Sequence, residues 1–424
     1  MRTGASCCVW LTVWLGAGCS FRVAAVDESL GPDLAATPDG PVDVRDFAGL
    51  DLTGFDLALV DLAHIDLAQV DLATMDLSTV FVPSHVPAST YKPGAIDLAG
   101  LRAVDTDALQ IDLGAGLVQP PPGVVFAAFG GIAVLSVGGL SIDFDVSVTG
   151  SRPLAIVAAR AVVVDHAVNA SADLASAGPG GMIVAIAQGL GGNGANSGFS
   201  DGGGGGGGYS TIGGAGGGAG GTSTTPAAAG GPAGASYTVT NVNFFGGSPG
   251  GNGSSACNTG LTSVGGAGGG ALQISSAVSI EIKANGRLSV NGGGGTGGCK
   301  GNGASGGGGG SAGVVFLEAP TVSVAGKLTA NGGGGGSGSI FPNTDGSNGD
   351  NGHLDGTQGT GGQTGGGHGG NGGSSAGPAT AGAYATNNGG GGGGAAGFIW
   401  LRTRGTQAAT TGIVSPSASF DTSL

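Results

Sequence analysis

Aromatic side chains are scarce here, at 5% of 424 residues, and so are basic ones, with 13 Lys and Arg against 27 Asp and Glu. The first shortage leaves few flat rings on which single-stranded bases or sugars would stack. The second, with a formal net charge of −14, argues against nucleic acid and anionic membrane surfaces as partners. Long apolar runs are missing too. The longest candidate, Ala5–Leu15, is too short for a permanent membrane span and follows Arg2, the arrangement of an export signal. Only five cysteines occur, and two of them, Cys7 and Cys8, fall inside that leader.

What the chain has in excess is glycine, 100 residues, most of them between Gly178 and Gly397. Glycine brings no side chain to bury and loses the most backbone freedom on folding, so glycine runs cannot build a side-chain core. The apolar stretches between them must supply it. The stretch Gly313–Gly336, GVVFLEAPTVSVAGKLTANGGGGG, holds the spaced pairs Val314/Phe316, Val322/Val324 and Leu328/Ala330, followed by a glycine run. A spacing of two puts both members of a pair on one face of a strand. The pattern recurs as Leu154/Ile156, Val162/Val164 and Val168/Ala170, and again as Leu272/Ile274, Ile280/Ile282 and Leu288/Val290. Phe398/Trp400 begins a fourth copy, and earlier pairs such as Ile132/Val134 and Leu140/Ile142 lead into the series. The expected fold is therefore all-β, with a right-handed parallel β-helix or solenoid-like core. The glycine-rich insertions, at about 171–268, 291–312 and 331–396, leave the unit after its third strand and are expected to stack on one side. Disordered loops and packed, extended polyglycine helices are both compatible with these insertions.

The chain divides into a leader at 1–19, a Pro-, Asp- and Ala-rich tether at 20–45, an acidic five-residue repeat at 46–80, a proline-marked linker at 81–95 and the β domain at 96–424. Residues 19–80 carry 12 acids and two bases. Leu15-Gly16-Ala17-Gly18-Cys19 resembles the lipobox of bacterial lipoproteins, which implies lipidation of Cys19 and an outer-membrane anchor, although Leu15 stands one position early. Ordinary cleavage after Ala25 is the competing expectation. The repeat Asp46, Asp51, Asp56, Asp61, Asp66, Asp71 and Asp76 resembles the pentapeptide repeat, but large side chains such as Phe55 and Met75 stand where that family has small ones. A short coil and an acidic spacer both fit it, with His64 at a variable position. Of the remaining cysteines, Cys257 and Cys299 lie in successive insertions and would pair as a disulfide in an oxidising compartment.

No stretch carries a specific catalytic signature. With glycine this dense, GxGxxG arises by chance and nowhere follows a strand and opens a helix. Lys300 is not followed by Ser or Thr, as a P-loop requires, and the elbow-like texts around Ser311 and Ser375 lack strand–turn–helix context. Asp143, Asp145, Arg160, Asp165 and His166 lie close in sequence, and two carboxylates at spacing two would suit a polysaccharide-degrading β-helix enzyme. The plainer expectation is that Ile142 and Phe144 point inward and both acids are solvated. Asp345, Asn348, Asp350 and Asp355 alternate with glycines and offer oxygen ligands to calcium, but at neither the EF-hand nor the nonapeptide spacing. His353 and His368 are the accompanying transition-metal candidates.

As a whole, the lipobox-like start, the DLA repeat, strands of the VSVAGKLTANGGGGG kind and the closing FIWLRTRG resemble glycine-rich exported proteins of myxobacteria and related Gram-negative bacteria. The insertions are also similar, more weakly, to mycobacterial glycine-rich surface proteins. The resemblance implies a surface location and no particular activity. The expected role is an exported structural or adhesive protein whose partners are the outer membrane and extracellular polysaccharide or matrix. A polysaccharide-degrading enzyme and a calcium-stabilised binding module are the alternatives. No cofactor is expected apart from that calcium.

Overall fold

The computed structural model describes residues 81–182, 189–198, 200–224, 226–237, 244–254, 263–301 and 303–424. The chain divides into units 1–76 and 77–424, and every described residue belongs to the second. The leader, Cys19, the tether, the acidic repeat with His64, and Cys257 lie outside the described residues.

Short apolar strands assemble into three larger sheets of eight, seven and five strands. The five-stranded sheet, from Leu140–Ile142 through Val162–Val164, Ser279–Ile282 and Thr321–Val324 to Ala409–Thr410, is wholly parallel. The seven-stranded sheet runs parallel from Ile132–Val137 to Ser419–Asp421, but its outer strand Val125–Phe129 is antiparallel. The eight-stranded sheet is likewise mixed, with Gln110–Asp112 and Leu117–Val118 antiparallel to their neighbours. The expectation of a right-handed parallel β-helix or solenoid-like core is thereby corrected to a set of mixed and parallel sheets. Period-two spacing fixes which face a side chain takes and says nothing about strand direction. The same pattern serves the hairpin Val125–Phe129/Ile132–Val137, whose turn is Gly130-Gly131 at φ 57° and 89°, a region open to glycine at no steric cost.

The recurring pairs do meet. Leu154 stands beside Leu272 and Ile156 beside Ile274 in the seven-stranded sheet. Val162, Ile280 and Val322 are neighbours in the five-stranded one. Val168, Leu288 and Leu328 are neighbours in the eight-stranded one. All are buried in one aliphatic core. The seven-stranded sheet departs from expectation by one residue. Leu272 and Ile274 face Val315 and Leu317, which face Ile399 and Leu401. Val314/Phe316, Phe398/Trp400 and Ile132/Val134 therefore lie on the opposite face, in a second cluster with Tyr209 and Phe244. A slip of one residue exchanges the faces of a strand. Every residue of Val314–Glu318 is buried, and a strand covered on both sides is apolar throughout, so its phase leaves no mark in the sequence.

Of the two alternatives for the insertions, the described glycine segments take the packed one and are part of the interior. Residues 201–209, 303–310 and 388–397 are buried. Their backbones form threefold extended helices, recognisable from their hydrogen bonds. The N–H groups of Gly203 and Gly206 donate to Gly217 and Gly214, those of Gly204 and Gly207 to Gly306 and Gly309, and those of Gly205 and Gly208 to Gly192 and Gly189. Every third residue thus meets the same neighbour, as a helix of three residues per turn demands. The segment 306–311 shows full packing. It donates to Gly389/Gly392, Thr296/Gly293 and Gly251/Ser248, and accepts from Gly204/Gly207, Gly336/Gly333 and Gly266/Gly269. Three donor and three acceptor directions give it six neighbouring segments.

Such packing leaves no room for a β-carbon. One placed on Gly391 would fall inside the van der Waals envelope of the Gly307 carbonyl oxygen, while one on Gly94 would meet nothing within 4 Å. Gly391→Ala is expected to lower the unfolding free energy by at least about 2 kcal/mol in a denaturant titration, and Gly94→Ala to stay within about 0.5 kcal/mol of the parent. Equal behaviour of the two variants would contradict the packed bundle.

Candidate functional site

The candidate acidic residues are dispersed. Ile142 is fully buried as expected, but Phe144 is 41% exposed, with the Arg102 guanidinium 3.9 Å from its ring centre. Both neighbouring carboxylates are exposed as well, and they serve separate partners. Asp143 accepts from the Ser141 hydroxyl at 2.7 Å, while Asp145 accepts from the Ala167 N–H at 3.0 Å and lies 3.6 Å from His166 Nδ1. Arg160 pairs with Asp97 at 2.6 Å, and that hydrogen bond holds the Asp97 carboxyl below its ordinary range. Asp165 pairs with Lys283 at 3.5 Å. The five residues fall into four local pairings rather than one constellation.

The calcium candidates are spread out as well. Gly346, Gly349 and Gly352 donate to Gly298, Gly295 and Gly292, so 346–352 is another threefold helix. At about 3.1 Å per residue its ends stand on the order of 20 Å apart. Asp345 accepts from the Lys300 N–H at 2.8 Å and Asn348 from the Gly297 N–H at 2.9 Å. Asp350 faces His353 Nε2 at 3.5 Å, and Asp355 accepts from Thr357, whose hydroxyl holds that carboxyl below its usual range. Alternating oxygens and glycines read as a wrapping loop, but here they decorate a rod. His368 is exposed. Among the described residues no group of three or more His, Cys, Asp or Glu side chains is placed to hold a metal. Cys299, at a turn between two glycine helices, is disulfide-bonded.

A buried polar cluster that spacing did not suggest lies among the described residues. Ser275, Glu318, Arg402 and Asp421 stand side by side on neighbouring parallel strands, on the outer face of the seven-stranded sheet. Glu318 is fully buried. Its Oε1 accepts from the Ser84 N–H at 2.6 Å, Ser275 Oγ at 2.6 Å and Gln273 Nε2 at 3.1 Å, and its Oε2 accepts from Ser84 Oγ at 2.7 Å. Arg402 lies 3.8 Å from Glu318 and 3.3 Å from Asp421. His85 Nδ1 is 2.8 Å from Gln273 Oε1, and its ring sits 5.0 Å from both Phe244 and Phe316. The segment expected to be a linker is docked, with Phe81, Val86 and Ala95 buried. A buried carboxylate held by four donors, two of them from Ser84, clamps a strap. The readable signs were Glu318 inside VVFLE and Gln273 inside ALQIS, polar residues in otherwise apolar strands.

Above the clamp, Tyr209 donates to the Phe245 carbonyl at 2.7 Å and Tyr237 Oη is 2.9 Å from Ser248 Oγ, the two rings meeting edge to face at 4.7 Å. Burial pushes both hydroxyls above the ordinary tyrosine range. Comparison with protein-family models, curated proteins and solved structures finds no match.

Two outcomes follow from this geometry. Glu318→Ala leaves the clamp donors without an acceptor, and is expected to cost about 3–5 kcal/mol and to open residues 81–95 to limited proteolysis. Loss of neither stability nor protection would remove the clamp. Because the folded state keeps the two tyrosines protonated, stability is complete below about pH 10 and declines as pH rises beyond it. Urea titrations at pH 8 and pH 11 should show that decline, and Tyr237→Phe should make it shallower.

Proposed function

We propose that this chain is an exported cell-surface protein, anchored to the outer membrane through Cys19, with a structural or adhesive role and no catalytic activity. Its partners in this reading are the outer membrane and an extracellular polysaccharide or matrix, and not nucleic acid. The observation that carries it is the bundle of glycine helices around 306–311, where six neighbouring segments spend their backbone hydrogen bonds on one another. A body built this way is a dense, nearly uncharged rod packing joined to an aliphatic core, suited to bearing load and presenting surfaces. The Ser84–Glu318 clamp supports the same reading, because it seats the start of the β body firmly where the acidic repeat would hand over from the membrane. The lipobox-like leader and the likeness to glycine-rich exported proteins supply the location.

Fractionation of Gram-negative cells expressing the full chain, with surface biotinylation and palmitate labelling, tests it. The protein is expected in the outer-membrane fraction, labelled by both reagents, and Cys19→Ser should abolish palmitate incorporation and release the chain from the membrane. Recovery in the cytosol would overturn the reading.

A further inference from the structure

The outer faces of the three sheets are not treated alike. The seven-stranded face is covered by the strap and the aromatic cluster. The eight-stranded face is covered at one end only, where Ser289, Thr329 and Ser415 are buried and Ser415 bonds Asn331 and Ser375, while Ser147 and Thr149 are exposed. The parallel five-stranded sheet keeps its outer face open. Along Ser279–Ile282 and Thr321–Val324, Ile280, Ile282, Val322 and Val324 point into the core, while Glu281, Thr321 and Ser323 are exposed and Ser279 is half-buried. Ser279 stands beside Thr321, and Glu281 beside Ser323. The loop after Arg402 rises along one side, tightened by a bond from the Thr403 hydroxyl to the Thr406 carbonyl. Together they enclose a groove of about 360 Å³ that Gln407 also lines.

We infer that this groove binds a hydroxyl-rich, non-acidic glycan chain. This rests on the surface role proposed above and names the site through which that role would be exercised. Among the described residues, the side chains of Ser279, Glu281, Thr321, Ser323 and Gln407 have no hydrogen-bond or ion-pair partner and line one groove. Three hydroxyls, a carboxamide and a carboxylate offer both donors and acceptors, the mixture a sugar's hydroxyls need. Partners across the two strands, Ser279 with Thr321 and Glu281 with Ser323, lie about 4.8 Å apart, and the two rows stand about 6.6 Å apart along the strands, so the four side chains span roughly one sugar ring. Glu281 is the one charge in the groove, and the chain carries −14 overall. Acidic glycans are repelled, neutral ones are accepted, and amino sugars gain an ion pair.

Titration of the purified full chain by calorimetry with cellohexaose, fully deacetylated chitohexaose and hexagalacturonate tests the site. The first two should bind and the third should not. Ser323→Trp, which fills the groove from an exposed position, should weaken both by at least about tenfold, and Thr321→Val by roughly threefold. Glu281→Gln should weaken the amino-sugar oligomer by about three- to fivefold while changing cellohexaose less than about 1.5-fold. Unchanged melting temperatures would show that each variant folds. Failure of both cellohexaose and chitohexaose to bind, equal binding of hexagalacturonate, or indifference to Ser323→Trp would overturn the inference. Binding in vitro by a chain found in the cytosol would instead sink the surface role and leave the groove standing.

Discussion

The carbonyl oxygen of one glycine segment resting against the bare α-carbon of the next is the contact on which the rest of this molecule depends. Where Gly391 meets Gly307 and Gly308 meets Gly205, the space a methyl group would need is already filled by backbone. That closeness brings each N–H within reach of a neighbouring carbonyl, as in Gly308 to Gly251 at 2.9 Å. Glycine is a poor choice on conformational entropy alone. It is retained here because buried backbone groups must be paired, and threefold helices can pair with each other in six directions only if nothing projects from them. The bundle is thus the inverse of an ordinary core, filled by main chain and held by hydrogen bonds.

The sheets and the bundle are mutually dependent. Val315, Leu317, Ile399 and Leu401 fill the aliphatic core from the inner face of the seven-stranded sheet. On its outer face Phe316 and Trp400 join the cluster of Tyr209 and Phe244, which come from the glycine-rich segment 171–268. A strand such as Val314–Glu318 is buried because the bundle and strap cover it. The same burial raises the stakes for Glu318, whose charge is tolerated because Ser84, Gln273, Ser275 and Arg402 surround it.

Acidic residues show why proximity in sequence misleads in this chain. Asp143 and Asp145 are near each other, but the strand ends between Ile142 and Val146, and each acid turns to its own local donor. Asp345 to Asp355 has the composition of a cation loop. The glycines between the acids instead let the chain enter the bundle, and a rod places successive side chains toward different neighbours. In both cases the tertiary path, and not the residue types, decides what the oxygens meet.

Several features were legible from the residues alone. Glycine content excluded a side-chain core in the glycine runs themselves, and period-two aliphatics marked the short strands and which residues recur together, so Leu154 meets Leu272 and Val162 meets Ile280 as the pattern implied. Period and composition are local properties, and they report faces and packing partners of like shape. They carry no record of strand direction, which is why the mixed sheets were not foreseen. Nor do they record the phase of a strand buried on both sides, and so the outward placement of Phe316 and Trp400 has no sign in the spacing. Whether the glycine segments pack, and whether residues 81–95 dock, depends on hydrogen bonds between positions far apart in sequence, such as Ser84 with Glu318, 234 residues away. Only the assembled backbone brings such groups together, because a main-chain N–H or C=O is the same at every residue and cannot announce its partner in advance.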